Sequence, residues 1–359
     1  MIDVKPKPQI LEHLSKSLTV TIYDTRWIPG SAKFIALGQY ARSTGCLQVW
    51  EMDGTDLKLV KEVEKPSAFK CGTFGASSLI DRRLASGNFT GQLQIWDLEH
   101  TNKPVFDVQA HASIVNQVDG FGGQARGCGA PELVTCGRDG CVRVWDVRQQ
   151  DAPVAAFEPA DSSNIRDCWC VAFGNSYNDE ERCVLAGYDN GDVKMFDLRM
   201  NQVRWEANVK NGVCAVGFDR RDIQMNKFVV CCLEAQFHTF DARTQHPQKG
   251  FSSVTERVSA GSTVWGVSHL PQNREVMMIS SGDGTLHLYK YHYPDQRKIK
   301  DPEGRDLGVA GSVELVASRA MSSQPVCSLD WSPDKEGLFC CAAFDQTLRV
   351  GIVTKLRTV

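Results

Sequence analysis

The stretch ELVTCGRDGCVRVWD at residues 132–146 shows the pattern that decides the fold. Two short runs of alternating apolar and polar residues are separated by an Asp-Gly pair and end in Trp-Asp. Alternation with period two, rich in β-branched and aromatic residues, is typical of β-strands, and Asp-Gly favours a tight turn between them. Seven versions of the second run occur: GCLQVWE, GQLQIWD, GCVRVWD, GDVKMFD, AQFHTFD, GTLHLYK and QTLRVGI. Their sixth residues, here called the anchors, are Trp50, Trp96, Trp145, Phe196, Phe240, Tyr289 and Gly351.

Each anchor run follows two further predicted strands, and an outer strand after it completes a unit of four. A repeat of ~40–50 residues with a Trp-Asp ending is the pattern of a WD-repeat β-propeller. One such sheet cannot cover both of its faces, so neighbouring blades bury each other's apolar sides. We therefore predict an all-β, seven-bladed WD-repeat propeller that uses residues 1–359 as a single domain, although length alone suggests two or three domains.

Closure of this ring requires a strand from the start of the chain. The chain ends soon after the seventh anchor, so the last blade lacks its outer strand. The segment Gln9–Leu14 precedes the first blade and has no other place in the repeat. We predict that it pairs with Thr347–Val353, because closing the ring removes two exposed strand edges.

The composition excludes several classes of protein. Lys and Arg total 40 against 43 for Asp and Glu, and the net charge of −3 argues against a broad nucleic-acid or lipid surface. The longest apolar run, Leu338–Phe344, is far shorter than the ~18 residues that span a bilayer, and the N-terminus resembles no signal peptide. The 14 cysteines lie mostly in apolar runs, which favours reduced core thiols. We expect a cytoplasmic monomer that binds neither nucleic acid nor membrane.

One repeat carries a full polar set. His111, Thr135, Asp139 and Trp145 are predicted to form a hydrogen-bonded network inside the third blade, with a structural rather than a catalytic role. Nowhere does the sequence pair a nucleophile with a base, group metal ligands at metal spacing, or place a glycine-rich phosphate loop before a helix. We expect no metal, no cofactor and no enzymatic activity.

The mouth of the central channel is the predicted contact surface. Aligning the innermost strands on their final aromatic residue places one residue per blade there: Tyr23, Lys70, Asn116, Trp169, Cys214, Trp265 and Cys327. Aromatic and Arg side chains are enriched at interaction hot spots. Together with nearby turn residues, the predicted partner-binding set is Tyr23, Lys70, Phe89, Arg138, Trp169, Asp189, Trp265 and Phe344. The alternative is that Trp169 and Trp265 simply fill the channel.

Three irregular loops are predicted on the opposite face. They are the insertion Tyr291–Gly311 between the third and fourth strands of blade six, the glycine-rich Asp119–Ala130, and Gly174–Glu181. The insertion is polar, of mixed charge and interrupted by Pro and Gly, so a flexible, solvated loop is expected. Such loops either bind partners or are tolerated insertions.

A second functional hypothesis comes from the ends of blades three and four. WDVR at Trp145–Arg148 and FDLR at Phe196–Arg199 resemble the elements by which some propellers dock on a cullin-type ubiquitin ligase. In that case Arg148 and Arg199 would make the contact. The alternative is that each arginine supports its own turn.

Stretches outside the repeat pattern carry a more specific resemblance. RDCWCVAFGNSYNDEER at 166–182, RWEANVKNGVC at 204–214 and QPVCSLDWSPDK at 324–335 are similar to the WD-repeat-containing protein 92 (Monad) family of axonemal dynein assembly factors. The resemblance implies a cytoplasmic, non-catalytic chaperone adaptor. It would link a co-chaperone complex of RuvB-like ATPases, tetratricopeptide adaptors and prefoldin-like subunits to the folding and preassembly of dynein heavy chains for cilia. A connection with apoptosis is also implied.

Overall fold

The computed structural model describes residues 7–123, 130–149, 152–161, 163–178, 180–258 and 261–358. Parts of two predicted loops, residues 124–129 and residue 179, lie outside these ranges. Within them the chain forms seven four-stranded antiparallel sheets and one two-stranded hairpin. The prediction of an all-β, seven-bladed propeller is confirmed.

The first three blades follow the sequence in order. Blade one is β2 (Thr21–Trp27), β3 (Lys33–Gln39), β4 (Gly45–Asp53) and β5 (Asp56–Lys65). Blade two is β6 (Phe69–Thr73), β7 (Leu84–Asn88), β8 (Gln92–Trp96) and β9 (Phe106–Gln109). Blade three is β10 (Val115–Phe121), β11 (Glu132–Gly137), β12 (Val142–Asp146) and β13 (Ala155–Phe157).

The remaining blades include strands from the insertion and from both ends of the chain. Blade four is β14 (Cys168–Gly174), β15 (Cys183–Tyr188), β16 (Asp192–Asp197) and β17 (Gln202–Asn208). Blade five is β18 (Val213–Phe218), β19 (Lys227–Cys232), β20 (Gln236–His246) and β21 (Gly250–Arg257). Blade six is β22 (Val264–Leu270), β23 (Asn273–Ser281), β24 (Thr285–His292) and β27 (Ser312–Ala320), with the hairpin β25 (Lys298–Lys300) and β26 (Asp306–Gly308) between the last two. Blade seven is β28 (Val326–Trp331), β29 (Leu338–Ala343), β30 (Thr347–Thr354) and β1 (Gln9–Ser17).

Helical structure contributes almost nothing to this part of the chain. A single 3-10 turn, Leu356–Thr358, follows β30. No helix in the described ranges is long and apolar enough to cross a membrane.

The anchors fill the space between blades, as the repeat predicts. All seven lie on the third strand that their unit contributes, and all are buried. Gly351 departs from the aromatic pattern because the ring of Phe339 occupies the space that a side chain at position 351 would fill. A Cβ on Gly351 would lie 2.2 Å from Cζ of Phe339, which is fully buried and packs edge-on against Trp331. The seventh blade therefore keeps an aromatic filler, supplied from the neighbouring strand.

The first strand lies in the last blade. β1 pairs antiparallel with β30 in a register that runs from Gln9 opposite Thr354 to Ser17 opposite Thr347. The apolar side chains of Ile10 and Leu14 point into the core of this region. Both ends of the chain consequently belong to one sheet, and blade seven has four strands like the others.

The insertion Tyr291–Gly311 is ordered and packed against blade five, so the prediction of a flexible, solvated loop is wrong. Arg297 donates from Nε to Oδ2 of Asp241 at 2.7 Å and from a terminal nitrogen to Oδ1 of Asn226 at 2.8 Å. Nε2 of His246 lies 3.0 Å from Oδ2 of Asp301. Arg297 and Asp301 meet buried partners on the neighbouring blade, whereas Lys298, Lys300 and Asp306 form exposed pairs within the insertion.

A tyrosine of the insertion also covers a buried lysine. Lys227 is almost completely buried, and its ammonium group donates to Asp219 at 2.9 Å and to the hydroxyl of Tyr293 at 3.0 Å. The same ammonium lies 5.3 Å from the ring centroid of Tyr291. A buried ammonium is costly unless it is paired and hydrogen-bonded. The insertion therefore supplies part of the surroundings of this buried ammonium group.

We expect Ile10→Ala to lower the free energy of unfolding by about 2–4 kcal/mol, because it opens a cavity where β1 packs in blade seven. The adjacent control Leu11→Ala should cost less than about 1 kcal/mol, since Leu11 is 37% exposed while Ile10 is 3% exposed. Urea denaturation of the two variants measures the difference. Equal losses would show that β1 does not pack as described.

We expect Arg297→Ala to destabilise the protein by about 3–5 kcal/mol, because it leaves the buried carboxylate of Asp241 without its cation. The neighbouring Lys298 makes only an exposed pair with Asp306, so Lys298→Ala should cost at most about 1 kcal/mol. Thermal and urea denaturation of both variants provide the comparison. An Arg297→Ala protein as stable as the Lys298→Ala protein would contradict the docked position of the insertion.

Candidate functional site: the mouth of the central channel

A β-bulge occurs near the start of the innermost strand in every blade. In each case the pairing with the second strand skips one residue. The skipped residues are Tyr23, Lys70, Asn116, Trp169, Cys214, Trp265 and Cys327. A bulge leaves its extra residue unpaired and redirects the side chain. The residues that the sequence alignment places at the channel mouth are therefore the seven bulge residues, one from each blade.

Four aromatic rings from four blades form a continuous line across one side of the mouth. The ring centroids of Phe89 and Tyr23 are 5.2 Å apart, and those of Tyr23 and Phe344 are 6.4 Å apart. Phe344 in turn lies 5.9 Å from Trp265 in an edge-to-face contact. We call Phe89, Tyr23, Phe344 and Trp265 the aromatic row. Pairs at these distances stabilise each other by about 0.5–1.5 kcal/mol beyond the burial of their area.

Backbone hydrogen bonds fix the turns that present two of these rings. The N–H of Phe89 donates to the carbonyl of Ala68 at 3.0 Å, and the N–H of Phe344 donates to the carbonyl of Pro325 at 3.0 Å. Both rings follow the second strand of their blade, where the chain turns back toward the third. The aromatic row is thus held by the scaffold in its contact geometry, which reduces the entropy that binding would cost.

The aromatic row is partly open to solvent and has a cation beside Tyr23. Trp265 is 38% exposed, and the other three rings are half-buried. The ammonium nitrogen of Lys70 lies 5.3 Å from the ring centroid of Tyr23. A rigid, amphipathic surface of this kind can bind apolar and aromatic side chains, and Lys70 can attract an acidic group beside them.

Three predicted site residues lie apart from the aromatic row. Trp169 packs over Gly212, where an added Cβ would lie 3.0 Å from Cζ3 of its indole. Oδ1 of Asp189 is buried without a hydrogen-bond partner, and Arg138 is exposed. Among the ring contacts found in the described ranges, none joins Trp169 to Trp265. The structure therefore places the two tryptophans in different surroundings.

The polar set of blade three forms one connected network. The indole N–H of Trp145 donates to Oγ1 of Thr135 at 3.0 Å, and Oγ1 lies 2.8 Å from Nε2 of His111. Nδ1 of His111 is 2.8 Å from Oδ1 of Asp139. This chain of contacts assigns the histidine proton to Nδ1, with the threonine hydroxyl donating to Nε2. Every member has a partner, which is the condition under which a buried network specifies packing.

The carboxyl of Asp139 has a depressed pKa. Burial would raise this pKa, but the hydrogen bonds from His111 and from the backbone N–H groups of Ala112 and Cys141 outweigh burial and hold it well below its usual range. Asp139 also pairs with Arg143 at 3.2 Å. The network therefore stabilises the fold while Asp139 is ionised.

The two arginines of the ligase hypothesis differ in their surroundings. Arg148 turns back on its own strand end, with Nε 2.9 Å from Oδ1 of Asp146 and a terminal nitrogen 2.6 Å from Oδ2. Arg199 uses its backbone N–H to bind Asp197 at 2.9 Å, while its side chain is exposed. The guanidinium of Arg148 is thus already engaged by a carboxylate within the turn.

Thiols and metal-ligating groups show no arrangement for chemistry in the described part of the chain. Its 13 cysteines are unpaired and mostly buried, and burial raises the pKa of the thiols, as for Cys170 and Cys231. Such thiols are protonated and unreactive. No group of three or more His, Cys, Asp or Glu side chains there could hold a metal ion.

Sequence reasoning did not identify a cluster of charges deeper in the channel. Arg26 donates from Nε to the carbonyl of Gly72 at 3.0 Å and pairs with Asp24, while Arg221 reaches Asp119 from the first loop of blade five. Burial raises the pKa of Asp330, in the same cluster, to about 6. The signal was present as charged residues in otherwise apolar inner strands, but apart from Asp24 their partners lie on other blades.

We expect Asp139→Asn to lower the free energy of unfolding by about 1–3 kcal/mol at pH 7, through loss of charge-assisted hydrogen bonds. Because the folded pKa of Asp139 is depressed, its stabilisation is present above the unfolded pKa of ~3.9 and is lost as the pH falls below that value. Urea denaturation between pH 7 and pH 3 should show the deficit shrinking with acidity. The exposed control Asp53→Asn should show no such trend, and a pH-independent deficit in Asp139→Asn would contradict the assignment.

Comparison with known proteins places the chain in a family. Residues 102–146 and 315–350 match the model described as "WD domain, G-beta repeat". The chain is 75% identical to dynein axonemal assembly factor 10 of Chlamydomonas reinhardtii, with 100% of both chains covered. It is 57% identical to the Homo sapiens protein of that name, with 98% of this chain and 99% of the relative covered. The chain therefore belongs to the dynein axonemal assembly factor 10 family.

Proposed function

We propose that this chain is a non-catalytic scaffold in axonemal dynein assembly and that it acts through contacts at the channel mouth. Relatives that match it over their full length carry the name dynein axonemal assembly factor 10. The fold is a ring of sheets whose described cysteines and metal-ligating groups are not arranged for catalysis. Binding to other proteins is the activity that such a scaffold supports best.

The aromatic row is the observation that carries this proposal. Large apolar side chains usually become buried, yet Trp265 remains 38% exposed beside three further rings. Clustered aromatic residues with a neighbouring cation have the composition of an interaction hot spot. We assign Tyr23, Phe89, Trp265 and Phe344, with Lys70, as the centre of the contact surface. We also assign Arg138, Trp169 and Asp189 to this contact surface, apart from the aromatic row.

The partners we propose are proteins of the dynein assembly process. A co-chaperone complex of RuvB-like ATPases, tetratricopeptide adaptors and prefoldin-like subunits would bind one surface of the ring, and a dynein heavy chain would bind another. A preformed ring suits this role because neither contact requires the scaffold to become ordered on binding. The work of assembly would take place in the cytoplasm, before the dynein is delivered to cilia.

The contacts of Arg148 favour the scaffold over the ligase-receptor alternative. A docking arginine needs a free guanidinium, whereas that of Arg148 is bound to Asp146. The WDVR motif is accounted for by the support that this pair gives to the end of β12. Both arginines are exposed, so this preference rests on the Arg148–Asp146 pair alone.

We expect Tyr23→Ala combined with Trp265→Ala to reduce co-precipitation of dynein heavy chains or RuvB-like ATPases at least about tenfold, since hot-spot truncations cost about 2 kcal/mol or more. Ile80→Ala is the control, because Ile80 is a highly exposed apolar residue between β6 and β7, on the opposite face. Circular dichroism should show both variants folded. Undiminished recovery of both partners by the double variant would reject this contact surface.

A further inference from the structure

A groove of about 1180 Å³ runs along the outer edge of the ring between blades four and five. It lies away from the channel mouth and includes none of the residues assigned to the contact surface. One wall is β17, the outermost strand of blade four, and the other is formed by β20 and β21 of blade five. We call it the blade four–five groove.

One wall of the groove is the edge of a strand, and the other is the face of a sheet. Consecutive residues of β17, from Val203 to Asn208, all line it, which is expected where the edge of a strand borders the space. Away from the turn that joins β20 and β21 the lining residues alternate, namely Gln236, His238, Phe240, Phe251, Ser253 and Thr255, whereas Gln245, His246 and Gly250 line the groove at the turn. Alternation means that this wall is the face of a sheet. An edge beside a face leaves room for one additional strand.

The edge of β17 is open to pairing. β17 is paired with β16 on one side and is the last strand of its sheet. An edge strand presents unpaired backbone N–H and C=O groups that another chain can bind. At one end of the groove the side chain of Gln245 reaches the carbonyl of Arg204 at 3.5 Å, which marks where an added strand would have to stop.

The face opposite β17 contains an unsatisfied imidazole. Nδ1 of His238 is 2.8 Å from Oγ1 of Thr255, while Nε2 is buried and has no hydrogen-bond partner. Burial lowers the pKa of His238, so the ring is neutral near pH 7. A buried polar atom without a partner is costly. Because Nε2 is closed off from solvent, a peptide in the groove can supply the missing hydrogen bond only when the His238 side chain moves.

Two cationic side chains lie at the closed end of the groove. Arg204 and Lys249 both line it there, and neither forms an ion pair with another residue of the described ranges. Glu206 is the nearest acidic lining residue along β17. Unpaired cations at one end favour an acidic group on whatever occupies that end.

The insertion holds the turn that closes this end. Nδ1 of His246 accepts hydrogen bonds from the N–H groups of Gln248 and Lys249, each at 3.1 Å, while its Nε2 contacts Asp301 of the insertion at 3.0 Å. The N–H of Ala310 donates to Oγ of Ser252 at 3.1 Å. These contacts with the insertion therefore hold the turn that carries Lys249 in place before any ligand binds.

We propose that the blade four–five groove binds an extended segment of a partner protein, which adds a strand to the edge of β17. Alternate side chains of the segment pack on the face formed by β20 and β21, and an acidic residue lies beside Arg204 and Lys249. Strand addition draws affinity from the main chain and specificity from alternate side chains. This gives the scaffold a second binding surface beyond the channel mouth.

The test is to select, from a displayed library of random nine-residue peptides, those that bind the full chain. Selected peptides should carry an acidic residue near one end and should slow amide hydrogen exchange in β17. Val203→Asp should weaken them at least about tenfold, because it places a negative charge on the groove wall. Val203 is 44% exposed, so the substitution should leave the fold intact; Arg204→Glu serves as a second variant with the same expected loss.

Leu59→Asp is the matched control. Leu59 on β5 lies opposite the anchor Trp50, as Val203 on β17 lies opposite the anchor Phe196, and it is 39% exposed. It should leave peptide binding unchanged, as should Tyr23→Ala with Trp265→Ala at the channel mouth. Failure to select any peptide, or peptides that bind Val203→Asp and Arg204→Glu as tightly as the unaltered chain, would overturn the proposal without affecting the proposed function.

Discussion

The pairing of β1 with β30 is the interaction on which the rest of the molecule depends. It places a strand from each end of the chain in one sheet and completes blade seven. Next to it, side chains of blades one and seven meet directly: Thr25 and Ser328 share a hydrogen bond at 3.1 Å, and the N–H of Trp27 donates to Asp330 at 2.9 Å. A ring of sheets buries the inner face of its terminal blades only when it is closed.

The same junction carries the candidate contact surface. Tyr23 belongs to blade one and Phe344 to blade seven, and their contact joins the two halves of the aromatic row. The β-bulges then turn one residue of each blade toward the mouth. Scaffold stability and surface geometry are therefore coupled at this position, because loosening of the junction would separate rings that binding requires to be together.

Sequence reasoning succeeded where the information is local. Alternation, turn residues and the anchors predict the seven blades, and alignment of the inner strands finds the bulge residue of each one. The resemblance to axonemal dynein assembly factors is confirmed at the level of the family. The hydrogen bonds of His111 also follow from one repeat, since all four members of the network fall at positions that the repeat fixes.

Reasoning failed where a charge has its partner far away in the sequence. Arg297 and Asp301 belong to a polar segment that looks solvated, but they meet Asp241 and His246 on another blade. The blade four–five groove was missed for a related reason. A pattern of alternating residues indicates that β17 is a strand, yet only the packing of two blades shows that its edge faces an open space.

Amide hydrogen exchange of the full chain, alone and in a purified complex with a dynein heavy chain or a RuvB-like ATPase, tests the central claim most directly. If the closed ring binds through its channel mouth, exchange should slow on both sides of the junction, in the turns that contain Phe89 and Phe344 and at the beginnings of β2 and β22. Unchanged exchange at all of these segments, with protection confined to the loops of the opposite face, would contradict the account.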